Sequence, residues 1–201
     1  YLRSARAEGV KIQLDTRVEV IEKKGNIFQV QTGHDLIEAG MIVDAAGAWA
    51  PGIAESAGIE SLPMRSFKRH LFVLEGFDEV DSSWPFVWSM DQSFYFRPES
   101  GGILFSVCDE ELWLEDFVQT VNPEISEKLA DLIVGQLPLF EEALQRRLWS
   151  CFRTKTPEGG FHLGWAGQLD GFLWVAGLGG HGMGASWEVG RRAAELILNR
   201  D

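Results

Sequence analysis

Alternation of hydrophobic and polar positions dominates the first forty residues. VKIQLD (10–15), RVEVIEK (17–23), NIFQVQT (26–32) and the weaker DLIEA (35–39) change character at nearly every second position. That spacing predicts short strands of a small antiparallel meander, with Lys24-Gly25-Asn26 as a turn. MIVDAAG (41–47) is more continuously apolar and predicts a strand buried on both faces, followed by a helix from Trp49 to Ala57 that Gly58 ends. The opening YLRSARAEG reads as the last turns of a helix closed by Gly9. On that reading the chain is expected to be a fragment whose amino-terminal portion lies outside it.

From Leu62 to Trp149 the texture changes. RSFKRHLFVLEG, WPFVWSM, SFYFRP and GILFSV alternate or nearly so between Pro and Gly punctuation, which predicts a mostly antiparallel sheet with one solvated face. NPEISEKLADLIVGQLP places Ile125, Leu129, Leu132 and Ile133 at helical spacing behind Asn122-Pro123. RRLWSCFRT (146–154) predicts a strand that crosses back toward the first region. GFHLGW (160–165) and GFLWVAG (171–177) add two short strands, and Glu188 to Leu198 a closing helix. The sum is a two-lobed α/β (α+β) chain: a first lobe from residues 1–60, an inserted sheet domain at 61–149, and a return to the first lobe over 150–201.

Composition narrows the classes. With 45% hydrophobic and 24% charged residues, 201 residues can build a core. A formal charge of −12 argues against nucleic acid, since phosphate binding rests on Lys and Arg clusters. No run approaches the roughly 18 apolar residues of a transmembrane segment. Two cysteines, Cys108 and Cys151, make a disulfide framework improbable and suit a reducing, cytoplasmic setting. No spacing matches a metal site, a Walker loop or a Ser-His-Asp elbow, so no metal is expected.

Five glycines fall between residues 177 and 184, after an apolar strand and before a helix. Gly177, Gly179 and Gly182 satisfy G-x-G-x-x-G, where backbone approaches a ligand and a helix amino terminus offers N–H groups to an anion. A dinucleotide fingerprint also needs a second strand and an acid about 20 residues on. Here the helix ends near Leu198, so the motif is expected to close a fold and to line a ligand held by earlier parts. A tight turn demanding positive φ accounts for the same glycines without a ligand. His181, flanked by Gly180 and Gly182, has little packing to explain it and is open to a ligand-facing or a structural role.

Other candidates carry two readings each. Arg153, in CFRTKTPEGG, is either a bidentate clamp on a substrate carboxylate or an edge-strand arginine paired with a surface acid. Tyr95 is a substrate hydrogen-bonding phenol or a satisfied core hydroxyl. Cys151 reads as a small core residue by default. Glu110, Glu111, Glu115 and Asp116 read as a solvated face. His34, His70 and His162 have no evident partner.

The succession GVKIQLDTRVEVIEKKGN, MIVDAAGAWAPGIAESAG, FYFRPESGGILFSV, TPEGGFHLG and WVAGLGGHGMGAS resembles the FAD-dependent amine and amino-acid oxidoreductases, the D-amino-acid oxidase, glycine oxidase and sarcosine oxidase family. The resemblance is most specific in AAGAWA and GLGGHGMG and weak over 109–148. It implies a partial FAD-binding, Rossmann-like lobe with an inserted substrate-binding domain, and FAD as cofactor. It implies that Val18 presents backbone to the adenine and that Ala46 and Gly47 pass close to the cofactor. Gly179, Gly180, Gly182 and Met183 would lie by the pyrimidine edge of the flavin, with the closing helix dipole facing it. Tyr95 and Arg153 match a substrate tyrosine and a carboxylate-binding arginine of glycine oxidase. His181 matches an active-site histidine of sarcosine oxidase, and Cys151 matches the cysteine that holds FAD covalently there. Where sarcosine oxidase has a carboxylate-binding lysine this chain has Gly184, so the pattern mixes two subfamilies. The implied reaction is oxidation of the C–N bond of a small amino acid or N-methyl amino acid by hydride transfer to flavin. Oxidation of a 2-hydroxy acid on the same fold, or a non-catalytic binding domain, are the alternatives. Electron acceptor and oligomeric state stay open.

Overall fold

A computed structural model describes residues 1–76, 80–113 and 121–199. Helix α1 (Leu2–Ala7) precedes strands β1 (Val18–Lys24), β2 (Ile27–Thr32) and β3 (Leu36–Ala39). Strand β4 (Ile42–Asp44) leads through a 3-10 turn into α2 (Ala50–Ser56). Strands β5 (Arg65–Glu75), β6 (Val87–Ser89), β7 (Phe94–Glu99), β8 (Gly102–Ser106) and β9 (Glu111–Leu112) follow. Helix α3 (Glu124–Gln136) and the long β10 (Leu144–Lys155) come next. Strands β11 (His162–Trp165) and β12 (Phe172–Ala176) and helix α4 (Gly182–Leu198) complete a mixed α/β chain. No described helix is long and apolar enough to cross a membrane.

By contact the chain divides into two compact units: Tyr1–Leu62, His162–Ala176 and Ala185–Asp201 form one, Pro63–Phe161 and Gly177–Gly184 the other. The second unit therefore extends past the 61–149 expected for an insertion. The reason is β10, which stays paired with β5 from Leu144↔Glu75 to Lys155↔Arg65 instead of crossing back.

In the first unit, β1, β2 and β3 form an antiparallel meander. Its alternation buries Ile21, Phe28 and Val30 on one face, with Val18, Ile42, Ile53 and Leu169 packed against them. A second sheet has the order β11-β12-β4, with β12 parallel to β4 and antiparallel to β11. The continuously apolar FLWVA of β12 is buried at all five positions. Two expectations fail here. MIVDAAG yields only a three-residue strand, and Val43 is 44% exposed, so β4 is not covered on both faces. VKIQLD forms no strand, since the chain turns at Asp15 (φ 53) and no neighbouring strand among the described residues takes up its backbone groups.

The second unit is built on one antiparallel sheet, β10-β5-β8-β7-β6, with β9 also on β5. The two faces of that sheet differ. Phe72, Leu74, Phe94, Ile103 and Phe105 project to one side and are sealed by Ile125, Leu129 and Ile133 of α3 and by Phe140. Those three α3 residues recur at four-residue spacing, as a single buried stripe requires. The rings of Phe94 and Phe105 stack at 5.6 Å, and Phe140 meets Phe96 edge-on at 5.3 Å. The opposite face carries the chemistry.

Candidate active site

Antiparallel partners share a sheet face, so the register sorts the side chains. Cys151 lies opposite Arg69, Arg153 opposite Phe67 and Lys155 opposite Arg65. Tyr95 lies opposite Ser106, and Trp88 opposite Tyr95. Counting through Phe72↔Phe105 puts all of these on the face that α3 does not cover. Tyr95, Cys151 and Arg153 thus share one surface. They are not neighbours there. Tyr95 and Arg153 are three strands and two pleats apart, a flat-sheet separation of about 19 Å between Cα atoms.

The glycine turn meets this surface at Arg153. The Gly179 N–H donates to Thr154 O at 2.8 Å, and a β-bridge joins Lys155 to Leu178. Gly177, Gly179 and Gly180 all have positive φ (69, 57 and 93). At Gly180 a Cβ would lie 2.9 Å from both Cδ and Nε of Arg153. The guanidinium stem thus packs against backbone that only glycine leaves open. Helix α4 begins at Gly182, earlier than the expected Glu188, and has no acid in its first turn. His181 is exposed, and its ring lies 6.3 Å from that of Phe161. Met183 is 90% exposed. Gly180→Ala is expected to destabilise the protein by about 1–3 kcal/mol in urea unfolding, because φ 93 is unfavourable for any side chain. Gly182→Ala, with Leu178 Cδ1 at 3.4 Å and no positive φ, should cost less than half as much. Equal stabilities of the two variants would refute this account of the turn.

Charge gathers around Arg153. Lys155 Nζ donates to Glu110 Oε1 at 2.7 Å, and Arg69 Nη2 donates to the same oxygen at 3.1 Å. The Lys155 hydrogen bond, with the charges of Lys155, Arg69 and Arg153, holds the Glu110 carboxyl below its ordinary range. Arg153 has no acid partner among the described residues. Among the described residues three cations, Lys155, Arg69 and Arg153, act on the one carboxylate of Glu110, and Arg153 is the member without an ion pair. Burial raises the Cys108 thiol, against the opposing charges of Arg69 and Arg153. Cys151 is exposed on its strand, not a core residue. The Tyr95 hydroxyl has no hydrogen-bond partner among the described residues, so it is not a satisfied core group.

Under this surface lies a polar layer that the sequence reading missed. His70 is fully buried on β5. Its backbone N–H donates to Asp109 Oδ1 at 3.0 Å, and its Nδ1 lies 2.6 Å from Asp109 Oδ2. The Asn122 N–H donates to Nε2 at 3.1 Å, which makes Nε2 the acceptor and puts the ring proton on Nδ1. Buried Lys68 pairs with Glu111, which also accepts from Asn122 Nδ2. Glu110 and Glu111 stay substantially solvent-accessible, as a solvated run should, and are in addition the counter-charges of Arg69 and Lys68. Glu115 and Asp116 lie outside the described residues. No His, Cys, Asp or Glu group among the described residues is arranged to hold a metal.

The first unit holds the other candidates. Val18 opens β1 at an irregularity in the β1–β2 register. Asp44 Oδ1 accepts from the Ala46 N–H at 3.1 Å, while the buried Oδ2 has no hydrogen-bond partner. Burial pushes the Asp44 carboxyl up to about 6, against that Ala46 hydrogen bond. Gly47 has φ 62 and open space where a Cβ would stand. Exposed backbone beside an unsatisfied buried acceptor fits a large polar cofactor such as FAD with hydroxyl or N–H donors to offer.

Comparison with known proteins places this geometry. A family model described as "DAO: FAD dependent oxidoreductase" matches residues 1–196. A curated relative, "FAD-dependent oxidoreductase domain-containing protein 1" of Xenopus laevis, is 25% identical over 81% of this chain and 36% of its own length. The "Pyruvate dehydrogenase phosphatase regulatory subunit, mitochondrial" of Mus musculus is 25% identical over 97% of this chain and 24% of its own. Among solved structures, L-proline dehydrogenase from P. horikoshii superposes with a TM-score of 0.84 at 25% identity, over 97% of this chain and 52% of that one. The chain thus spans about a quarter to a half of the length of the proteins it matches.

Proposed function

The chain belongs to the FAD dependent oxidoreductase family, and from that premise we propose that the whole protein oxidises the C–N bond of an amino acid or N-methyl amino acid. Arg153 carries the proposal: an uncommitted guanidinium on an open sheet face, seated against the backbone of Gly180. When bound, FAD supplies the acceptor for the hydride that leaves the substrate Cα. The chain's own residues bind and orient. Arg153 clamps the carboxylate with two parallel N–H donors. Tyr95 offers its free hydroxyl to a substrate polar group. His181 faces the substrate from the glycine turn. The N–H groups of Gly180, Gly182 and Met183 would offer the positive end of α4 to the electron-rich edge of the flavin, while Gly179, whose N–H is taken by Thr154 O, would line it with backbone alone. Val18, Ala46 and Gly47 would hold the cofactor in the first unit, the FAD-binding lobe of this reading, and the second unit would be the substrate domain. Cys151, exposed two residues before Arg153, would hold the flavin covalently. The imine product is hydrolysed by water. A reducing, cytoplasmic setting suits two free cysteines.

The test is direct. The whole protein, purified, should show the flavin absorbance bands and turn over some member of a panel of glycine, sarcosine, D- and L-amino acids faster than 2-hydroxyglutarate. A colourless protein, or one that prefers the 2-hydroxy acid, overturns the assignment. Flavin that stays with the protein after acid precipitation, and is released in Cys151→Ala, would establish the covalent link.

A further inference from the structure

Beside Arg153 the sheet carries a second arginine without a partner. The register puts Phe67 opposite Arg153 and Arg65 opposite Lys155. Arg65 is therefore the diagonal neighbour of Arg153 on the same face, at a spacing of about 7–8 Å that long side chains bridge. It is exposed and makes no ion pair or hydrogen bond among the described residues. The two other cations here are committed, since Lys155 Nζ and Arg69 Nη2 both donate to Glu110 Oε1. Arg65, Arg69, Arg153 and Lys155 thus share this end of the face, and Glu110 is the one carboxylate among the described residues that pairs with any of them. Like charges side by side on a sheet face repel, so two unpaired arginines at diagonal positions suit an anion with two charged ends. Arg65 also opens onto a cavity. A pocket of about 370 Å³, in the range of small-molecule sites, is lined by Pro63, Arg65, Phe67, Lys155, Thr156 and Pro157. Its wall is fixed. Thr156 Oγ1 donates to Gly160 O at 2.8 Å, and Thr156 Cγ2 packs so closely on Gly177 that a Cβ there would lie 2.5 Å away.

A single carboxylate gripped by Arg153 leaves Arg65 and its pocket unused. Resting on the reading of Arg153 as a carboxylate clamp, we propose that Arg65 and this pocket bind a second carboxylate of the substrate, so that amino dicarboxylates are the preferred substrate class. The α-carboxylate binds Arg153, and the side-chain carboxylate passes Phe67 to reach Arg65. Four bonds separate the two carboxyl carbons of glutamate, a span of about 5 Å. That span fits over guanidiniums rooted about 7–8 Å apart, with one charge-assisted hydrogen-bonded contact at each end. The selection rests on charge, since an amide of the same length meets Arg65 with a neutral group and leaves the guanidinium unpaired.

The experiment uses the whole, flavin-loaded protein. kcat/KM is measured for both enantiomers of glutamate, glutamine, aspartate and asparagine, pairs that match in size and differ in the charge of the far group. At least one acid is expected to exceed its amide about tenfold or more, the worth of one charge-assisted hydrogen bond, and Arg65→Gln to bring that ratio within about threefold of one. Loss of folded enzyme cancels from the ratio, because it compares two substrates on one protein. Amides equal to or better than the acids in the wild type, or a ratio untouched by Arg65→Gln, overturn the subsite and leave the reaction standing. A second readout is independent of turnover. In titration calorimetry glutarate should bind about tenfold or more tightly than butyrate, and Arg65→Gln should weaken glutarate well beyond butyrate. That pattern in a protein that oxidises no amino acid supports the subsite while overturning the proposed reaction. Glutarate binding no tighter than butyrate overturns the subsite. Equal weakening of the two ligands by Arg65→Gln also overturns it, since one carboxylate is then shared by both arginines.

Discussion

Arg153→Ala is expected to raise the KM of the whole protein for carboxylate substrates at least 100-fold while kcat changes little. A bidentate guanidinium–carboxylate contact makes two charge-assisted hydrogen bonds, each worth about 1.5 kcal/mol or more. Their sum is about 3 kcal/mol, and each 1.4 kcal/mol is a factor of ten. The effect falls on KM because the carboxylate is gripped alike in ground and transition states. The neighbouring cations cannot substitute, since Arg69 and Lys155 are both committed to Glu110. Arg153→Lys should recover about tenfold, keeping the charge without the fork. Steady-state kinetics on the two variants decide it, and an unchanged KM in Arg153→Ala would remove the clamp from the site.

Local pattern made some of this architecture legible and long-range pairing hid the rest. Ile125, Leu129 and Ile133 announce the buried stripe of α3 because helical burial repeats within a few residues. FLWVA announces a strand covered on both sides. The glycine turn was visible as a turn beside a helix. Its partner was not, because nothing near Gly180 in the sequence points to Arg153, 27 positions earlier by number. VKIQLD alternates as a strand should, yet alternation does not supply a neighbour to pair with. Glu110 and Glu111 look like a solvated run because Lys68 and Arg69, which they neutralise, sit some forty positions upstream. One signal was available: Lys68-Arg69-His70 runs directly into the apolar stretch 71–74, and three ionisable residues leading into a buried run call for partners. Candidate residues were found where a motif was local, and a supporting network was missed where it was assembled by strand pairing.

That network makes the largest stability prediction. Asp109→Ala is expected to cost about 3–5 kcal/mol in urea unfolding, with little change in the dependence on denaturant. The side chains of His70 and Asp109 are 0% and 4% exposed, so neither can turn to water for a replacement partner. Removing the carboxylate strands two buried donors, the His70 backbone N–H and Nδ1–H, each costing about 1–3 kcal/mol. His70→Ala should cost at least as much, since it leaves Asp109 buried without the ring, deprives the Asn122 N–H of its acceptor and opens a void. The double variant should cost clearly less than the sum of the two, because the second substitution removes the group that the first left unsatisfied. Simple additivity, or a loss below about 1 kcal/mol in either single variant, would show that the pair is not coupled. The consequence reaches the active face through Glu110, which adjoins Asp109 and ties down Arg69 and Lys155. Loosening the 109–111 segment frees those two cations to compete with Arg153 for the substrate carboxylate. Asp109→Ala should therefore soften the KM penalty of Arg153→Ala when the two are combined, an interaction that a purely structural role for Asp109 would not produce.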